Sequence, residues 1–116
     1  MANHKVERIA SSISRYISDI LLNEADDELL KTITITGCEV SSDLSFCKVY
    51  FTSLSKLTKE QIVKEMNEAA SFIRGRVSEK IEIRHTPEIR FYYDDSIEYG
   101  KRIEEIIKNL DEEEHN

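Results

Sequence analysis

Two apolar runs with period two stand three residues apart near the middle of the chain, and they restrict the local topology more than any other feature. The first, residues 32–40, reads TITITGCEV. Ile33 and Ile35 alternate, but the next apolar pair is Cys38 and Val40, so the phase shifts by one residue at Gly37. A glycine at such a shift predicts a β-bulge. The second run, residues 44–53, reads LSFCKVYFTS and is rich in aromatic and β-branched residues that suit a pleated surface. Ser41, Ser42 and Asp43 supply turn chemistry between them. A connection this short joins antiparallel neighbours, so the two runs form a hairpin. The hairpin brings Cys38 and Cys47 towards each other on its inner face. Neither belongs to a CxxC pair, and two cysteines are too few for a disulfide framework, so both are expected as reduced core residues.

The periodicity on either side is helical. Val6, Ile9, Ala10, Ile13, Ile17, Ile20 and Leu21 form one apolar stripe over residues 4–23. At about 100° per residue, Lys5, Arg8, Ser12 and Arg15 fall on a separate, polar stripe whose charges are all positive. An acidic loop, residues 24–28, follows. After the hairpin, Thr58 and Gln61 are spaced as a capping box. They open a helix buried through Ile62, Met66, Ala70, Ile73 and Val77. Ser71 and Gly75 weaken that helix locally, so it either bends or runs straight through.

Residues 81–93, IEIRHTPEIRFYY, alternate again and predict a third strand. Ile83, Ile89, Phe91 and Tyr93 point one way; Arg84, Thr86, Glu88, Arg90 and Tyr92 point the other. Pro87 cannot donate a ladder hydrogen bond, which places this strand at a sheet edge. Asp94, Asp95 and Ser96 can cap a last helix with the face Tyr99, Ile103, Ile106, Ile107 and Leu110. Residues 111–116 read as a solvated acidic tail. The element order is helix, strand, strand, helix, helix, strand, helix. That is an α+β layer, with helices on one face of a three-stranded sheet. The crossover from the second to the third strand passes through helices, which makes those two strands parallel with a right-handed connection.

A chain of 116 residues suffices for one domain with its own core. It has no apolar run of membrane-spanning length and no hydrophobic signal region behind Met1, so a cytoplasmic protein is expected. The formal charge of −7 argues against nonspecific nucleic-acid binding if spread evenly. It is not spread evenly. Glu24, Asp26, Asp27 and Glu28 carry four negative charges, and residues 104–116 carry a further net five, which leaves the remainder net positive by two. Two basic zones emerge there. One holds Lys5, Arg8 and Arg15; the other runs from Arg74 through Arg76, Lys80 and Arg84 to Arg90, with Glu79, Glu82 and Glu88 interleaved.

Enzyme chemistry finds little support. His4, His85 and His115 are scattered, with no metal-ligand spacing. There is no phosphate-binding loop, dinucleotide fingerprint or nucleophile elbow. No cofactor, metal or small-molecule substrate is expected, nor any obligate dimer seam. Phe72 sits partly off the apolar stripe and is expected in the core rather than against a nucleotide.

Several segments together resemble the ribosome-binding factor A family, bacterial small-subunit assembly factors with a type II KH-like fold. RIASSISRYISDIL resembles the family's first helix, and VSSDLSFCKVYFTSL its hairpin, with Val40, Ser41, Asp43, Leu44, Lys48, Val49 and Tyr50 in place. AASFIR resembles its kinked-helix motif. The most specific stretch is RHTPEIRFYYDDSIEYGKRI, in which Arg84, Pro87, Glu88, Phe91, Asp94, Ser96, Gly100, Arg102 and Ile103 fit. The resemblance covers roughly residues 5–107. Two departures stand out. The family's Ala-x-Gly kink is matched by Ala69-Ala70-Ser71, with serine in place of glycine. The acidic loop reads Asp26-Asp27-Glu28-Leu29 where the family often has Asp-Pro-Arg-Leu, so no RNA contact is carried onto it.

The resemblance implies a single KH-like RNA-binding domain over residues 1–110 and a factor that binds the small ribosomal subunit through its ribosomal RNA. It also implies a helix kink at Ala69, Ala70 and Ser71, where a broken helix offers N–H groups to phosphate. The residues expected to meet RNA are Lys5, Arg8, Arg15, Ser71, Arg74, Arg76, Lys80 and Arg84. The competing expectation is a protein-interaction adapter on the same scaffold, without RNA binding.

Overall fold

The computed structural model describes residues 4–96. Its elements are α1 (His4–Asn23), a 3₁₀ turn (Leu30–Thr32), β1 (Ile33–Val40), β2 (Phe46–Ser53), α2 (Lys59–Glu68), α3 (Ala70–Lys80) and β3 (Glu88–Tyr93). The expected last helix, its Tyr99–Leu110 face and the acidic tail lie outside the described residues.

The sheet has the order β1-β2-β3, with β1 antiparallel and β3 parallel to β2. Both orientations follow from connection length: a tight turn for the hairpin and a two-helix crossover for β3. The register of β1 against β2 slips between Ile35 and Gly37, where the phase shift predicts the bulge. Thr36, the residue skipped by the register, turns its hydroxyl to the Asp94 carboxylate at 2.6 Å.

Three helices cover one sheet face. The α1 stripe buries Ile9, Ile13, Ile17, Ile20 and Leu21 against Cys47, Val49 and Phe51 of β2 and Ile89 and Phe91 of β3. Met66 of α2 and Ile73 and Val77 of α3 complete this core. Phe51 meets Phe91 edge-on at 6.2 Å, a favourable arrangement for two aromatic quadrupoles. The Thr58 capping box closes as its spacing predicts: Gln61 N–H donates to Thr58 Oγ1 and Thr58 N–H to Gln61 Oε1, each at 3.2 Å.

Four details depart from the sequence reading. The strand expected over 81–93 starts only at Glu88. The first β3 partner of β2 is Glu88, opposite Phe46, and the hairpin turn occupies the chain before Phe46. Residues 81–87 therefore have no strand beside them, and Pro87 is buried just ahead of the ladder. The strand expected over 44–53 likewise begins at Phe46, because Leu44 sits in the turn with φ of 63°, in the left-handed region. Phe72, expected in the core, is 44% exposed, since Ile73 and Val77 take the buried face of α3. Finally, the helix read as weakened at Ser71 and Gly75 breaks ahead of both, at Ala69, the N-cap of α3, which makes no side-chain capping hydrogen bond.

Candidate nucleic-acid interface

The site grows from the joint between α2 and α3. Ala69 alone separates the helices, with φ −83° and ψ −6°, so no positive-φ residue is needed and serine can stand where the family has glycine. Ala69 N–H still reaches Glu65 O at 3.1 Å, and Ile73 N–H picks up Ala69 O at 3.0 Å. Ser71 lies exposed in the first turn beyond.

The two arginines of this stretch do different work. Arg74 donates from Nε and Nη2 to the carbonyl oxygen of Thr86, at 3.1 and 2.8 Å. It thereby ties the irregular segment before β3 to α3 and keeps its charge at the surface. Arg76 turns elsewhere. Its guanidinium lies 5.5 Å over the Phe72 ring and 3.4 Å from the Glu79 carboxylate. At about 100° per residue, positions 72, 76 and 79 share one flank of α3, whereas 71, 74, 75 and 78 share another.

That second flank borders a run of shallow grooves. One, of about 390 Å³, is lined by Ser71, Arg74, Ser78, Ile83, Arg84 and His85 among others. It shares Ser71 and Arg74 with a groove of about 370 Å³ that continues to Asn67 and Arg90. It shares Ile83 with a groove of about 420 Å³ in which Lys5, Arg8 and Ser12 of α1 face Lys80 and Glu82. A fourth groove, of about 390 Å³, joins Arg74, Arg84 and His85 to Asp43 and Leu44 of the hairpin turn. Two basic zones far apart in sequence thus meet along one face. Lys80 is tempered by Glu24 at 3.7 Å, so the acidic loop touches the end of this face.

Of the expected RNA contacts, the grooves gather Lys5, Arg8, Ser71, Arg74, Lys80 and Arg84. Arg15 lines a different cavity with Glu7, Ser11, Ser14 and Cys38, and its guanidinium lies 5.5 Å over Tyr16. Arg76 lies on the far flank of α3. His85, Ser78 and Asn67 line the face without having been singled out, and so does Arg90, which was placed in the second basic zone but not among the expected contacts. The alternation of 81–93 hid His85, because a strand would have sent it to the side of Ile83 rather than that of Arg84.

The electrostatic ordering of the hairpin turn is local. Asp43 accepts from the hydroxyls of Ser41 and Ser45, each at 2.7 Å, and from Ser45 N–H at 3.1 Å. These bonds lower its carboxyl to about 2. Among the described residues no group of His, Cys, Asp and Glu is placed to hold a metal ion, and no helix is long and apolar enough to cross a membrane.

A helix-strand-strand-helix-helix-strand order, with the last strand parallel to the hairpin's second and a break between the paired helices, is the type II KH-like arrangement. Within that class the chain belongs to the ribosome-binding factor A family, whose model matches residues 5–107. A ribosome-binding factor A of Ligilactobacillus salivarius is 41% identical over 113 residues, spanning 95% of both chains. One from Desulforamulus reducens is 32% identical, over 97% of this chain and 94% of the relative. Both are named as binding factors, not as enzymes. The crystal structure of ribosome-binding factor A from Thermus thermophilus superposes with a TM-score of 0.68 over 76% of this chain and 93% of that one, at 16% identity. A homology model of the Thermus protein, fitted into a cryo-electron-microscopy map of a 30S complex, gives a TM-score of 0.62 at 16% identity, over 74% of this chain and 91% of that one.

Proposed function

We propose that this protein is a noncatalytic assembly factor that binds the small ribosomal subunit through its ribosomal RNA during late maturation and leaves the mature particle. It acts as a cytoplasmic monomer. The observation that carries this reading is the convergence of Lys5, Arg8, Lys80, Arg84 and Arg74 on adjoining grooves of one face. Cations from separate elements can follow a phosphate backbone there, and the groups beside them, Ser71, Ser78 and His85, can hydrogen-bond phosphate or sugar. The family relationship, and the Thermus relative's fit to a 30S complex, support ribosomal RNA of the small subunit as the partner. Binding one arrangement of that RNA better than another shifts the population towards it without any covalent step.

Co-sedimentation with isolated small subunits, large subunits and whole ribosomes across a salt series tests this. Selective association with small subunits, weakening as salt rises, is the expected result. Absence from every particle at low salt, with the protein folded, contradicts it.

A second reading, a protein-interaction adapter, draws on the opposite flank of α3. Phe72 is exposed there beneath the Arg76 guanidinium, and Glu65, Glu68 and Glu79 are exposed along the same helices. An aromatic-arginine pair suits a protein partner, and Glu79, 3.4 Å from Arg76, disfavours RNA on that flank. Under this reading, charge reversal at Arg74 and Arg84 leaves particle binding intact.

A further inference from the structure

The Sγ atoms of Cys38 and Cys47 approach to 2.9 Å, and both cysteines are free. The register explains the contact. Cys38 pairs with Val49 and Val40 with Cys47, so the two cysteines are diagonal neighbours on the same face of adjacent antiparallel strands. Their surroundings differ. Cys47 is fully buried among core side chains. Cys38 is half-buried and lines an open cavity of about 510 Å³ between α1 and β1, with Ser11, Ser14, Arg15 and Glu7 on its wall.

We propose that Cys38 and Cys47 form a hydroperoxide-reactive thiol pair, with Cys38 the attacking sulfur and Cys47 the resolving one, which closes to an intrachain disulfide between β1 and β2. Cys38, as thiolate, attacks the outer oxygen of a hydroperoxide and becomes a sulfenic acid; the O–O bond breaks and the alcohol, or water, leaves with a proton. The Cys47 sulfur then displaces the hydroxyl from Cys38, and that hydroxyl leaves as water with the Cys47 proton. Two thiols are oxidised by two electrons in all, and one peroxide is reduced.

Three features favour this course. The sulfurs need to close by only about 1 Å to reach disulfide length. The Cys38 thiol is held below its ordinary range, chiefly by the hydrogen bond from Cys47, against the opposing effects of burial and of Glu39. The same bond, followed by burial, pushes Cys47 up. Attack therefore falls to the accessible sulfur, and the protonated one beside it waits to resolve. The site lies apart from the basic grooves and does not depend on the proposed RNA binding.

The test exposes the reduced full-length protein to hydrogen peroxide, alkylates the remaining thiols and reads intact and peptide masses. The expected result is loss of both alkylatable thiols, with the mass of two hydrogen atoms, and a Cys38–Cys47 crosslinked peptide in the monomer. Cys47→Ser, checked for native circular dichroism, should stop at a sulfenic acid on Cys38 that dimedone traps; Cys38→Ser should trap nothing on Cys47. The proposal is overturned if both thiols stay alkylatable, if only interchain dimers form, or if the native protein oxidises no faster than the same chain unfolded in urea.

Discussion

Asn67 pairs with the backbone of Phe91 through both ends of its amide: Oδ1 accepts the Phe91 N–H at 2.9 Å and Nδ2 donates to the Phe91 carbonyl at 3.1 Å. A third bond runs from Nδ2 to Val63 O at 3.0 Å. The side chain therefore acts as a short stretch of neighbouring strand on the free edge of β3, two residues before the helix break at Ala69. It fixes the joint against the sheet and covers an edge that could otherwise template pairing with another chain. Asn67→Ala leaves a part-buried N–H and carbonyl without partners, and should cost roughly 1–3 kcal/mol. Urea unfolding monitored by circular dichroism reads this directly; an unchanged midpoint would show that water replaces the amide fully.

The two arginines in NEAASFIRGRV should separate functionally. Arg74→Glu places a negative charge on the grooved face, whereas Arg76→Glu places it on the far flank beside Glu79. Small-subunit binding should fall sharply for the first and little for the second. The log–log salt dependence should lose about one unit of slope for each phosphate contact removed. Arg74→Lys retains the charge but loses the two-pronged bond to Thr86, so it should bind nearly as well while the 81–87 segment exchanges its amide protons faster. Equal losses for Arg74→Glu and Arg76→Glu would place the interface elsewhere.

Phe72 and Phe91 offer a paired test of the core assignment. Phe91 is 1% exposed and Phe72 44%. Truncating Phe91 to alanine should cost roughly 3–5 kcal/mol. The same change at Phe72 should cost no more than about 1 kcal/mol. Comparable losses would mean that Phe72 is covered in solution.

The hairpin turn carries an acid-sensitive contact. Three hydrogen bonds hold the Asp43 carboxyl at about 2, below the 3.8 of an unperturbed aspartate. A folded-state value lowered in this way stabilises the fold above 3.8, and that contribution disappears as pH falls towards about 2. Asp43→Asn should therefore flatten the pH dependence of stability in this window while leaving its shape near neutrality unchanged. A wild-type profile already flat there would rule the contact out as a stabiliser.

Much of this fold was legible because single physical signals dominate its elements. The α1 stripe, the capping box at Thr58, the bulge at Gly37 and the parallel placement of β3 each follow from spacing or connection length. The failures share a cause: a pattern cannot know where its partner ends. Ile81 to Pro87 alternate like a strand, yet the hairpin turn leaves nothing beside them to pair with. The same misreading concealed His85 and left Arg84 on a strand face rather than at the junction of two grooves. Ser71 was read as a weak point of the helix, but the break falls two residues earlier, at Ala69, the first residue of the expected kink, whose backbone bends without a side-chain cap. Basic residues were visible as two zones; only the packing of α1 against the end of α3 makes Lys5, Arg8 and Lys80 neighbours, and Arg15 falls on the other side of that contact.

The most direct test of the grooved face is competition for the small subunit between the wild-type protein and an Arg8→Glu/Arg84→Glu double variant. Neither side chain makes a hydrogen bond or ion pair within the described residues, so the fold should persist and circular dichroism can verify it. The account predicts that the folded variant fails to displace labelled wild-type protein at moderate salt, whereas Arg15→Glu/Arg76→Glu still competes. Displacement by the Arg8 and Arg84 variant at wild-type concentrations would contradict it.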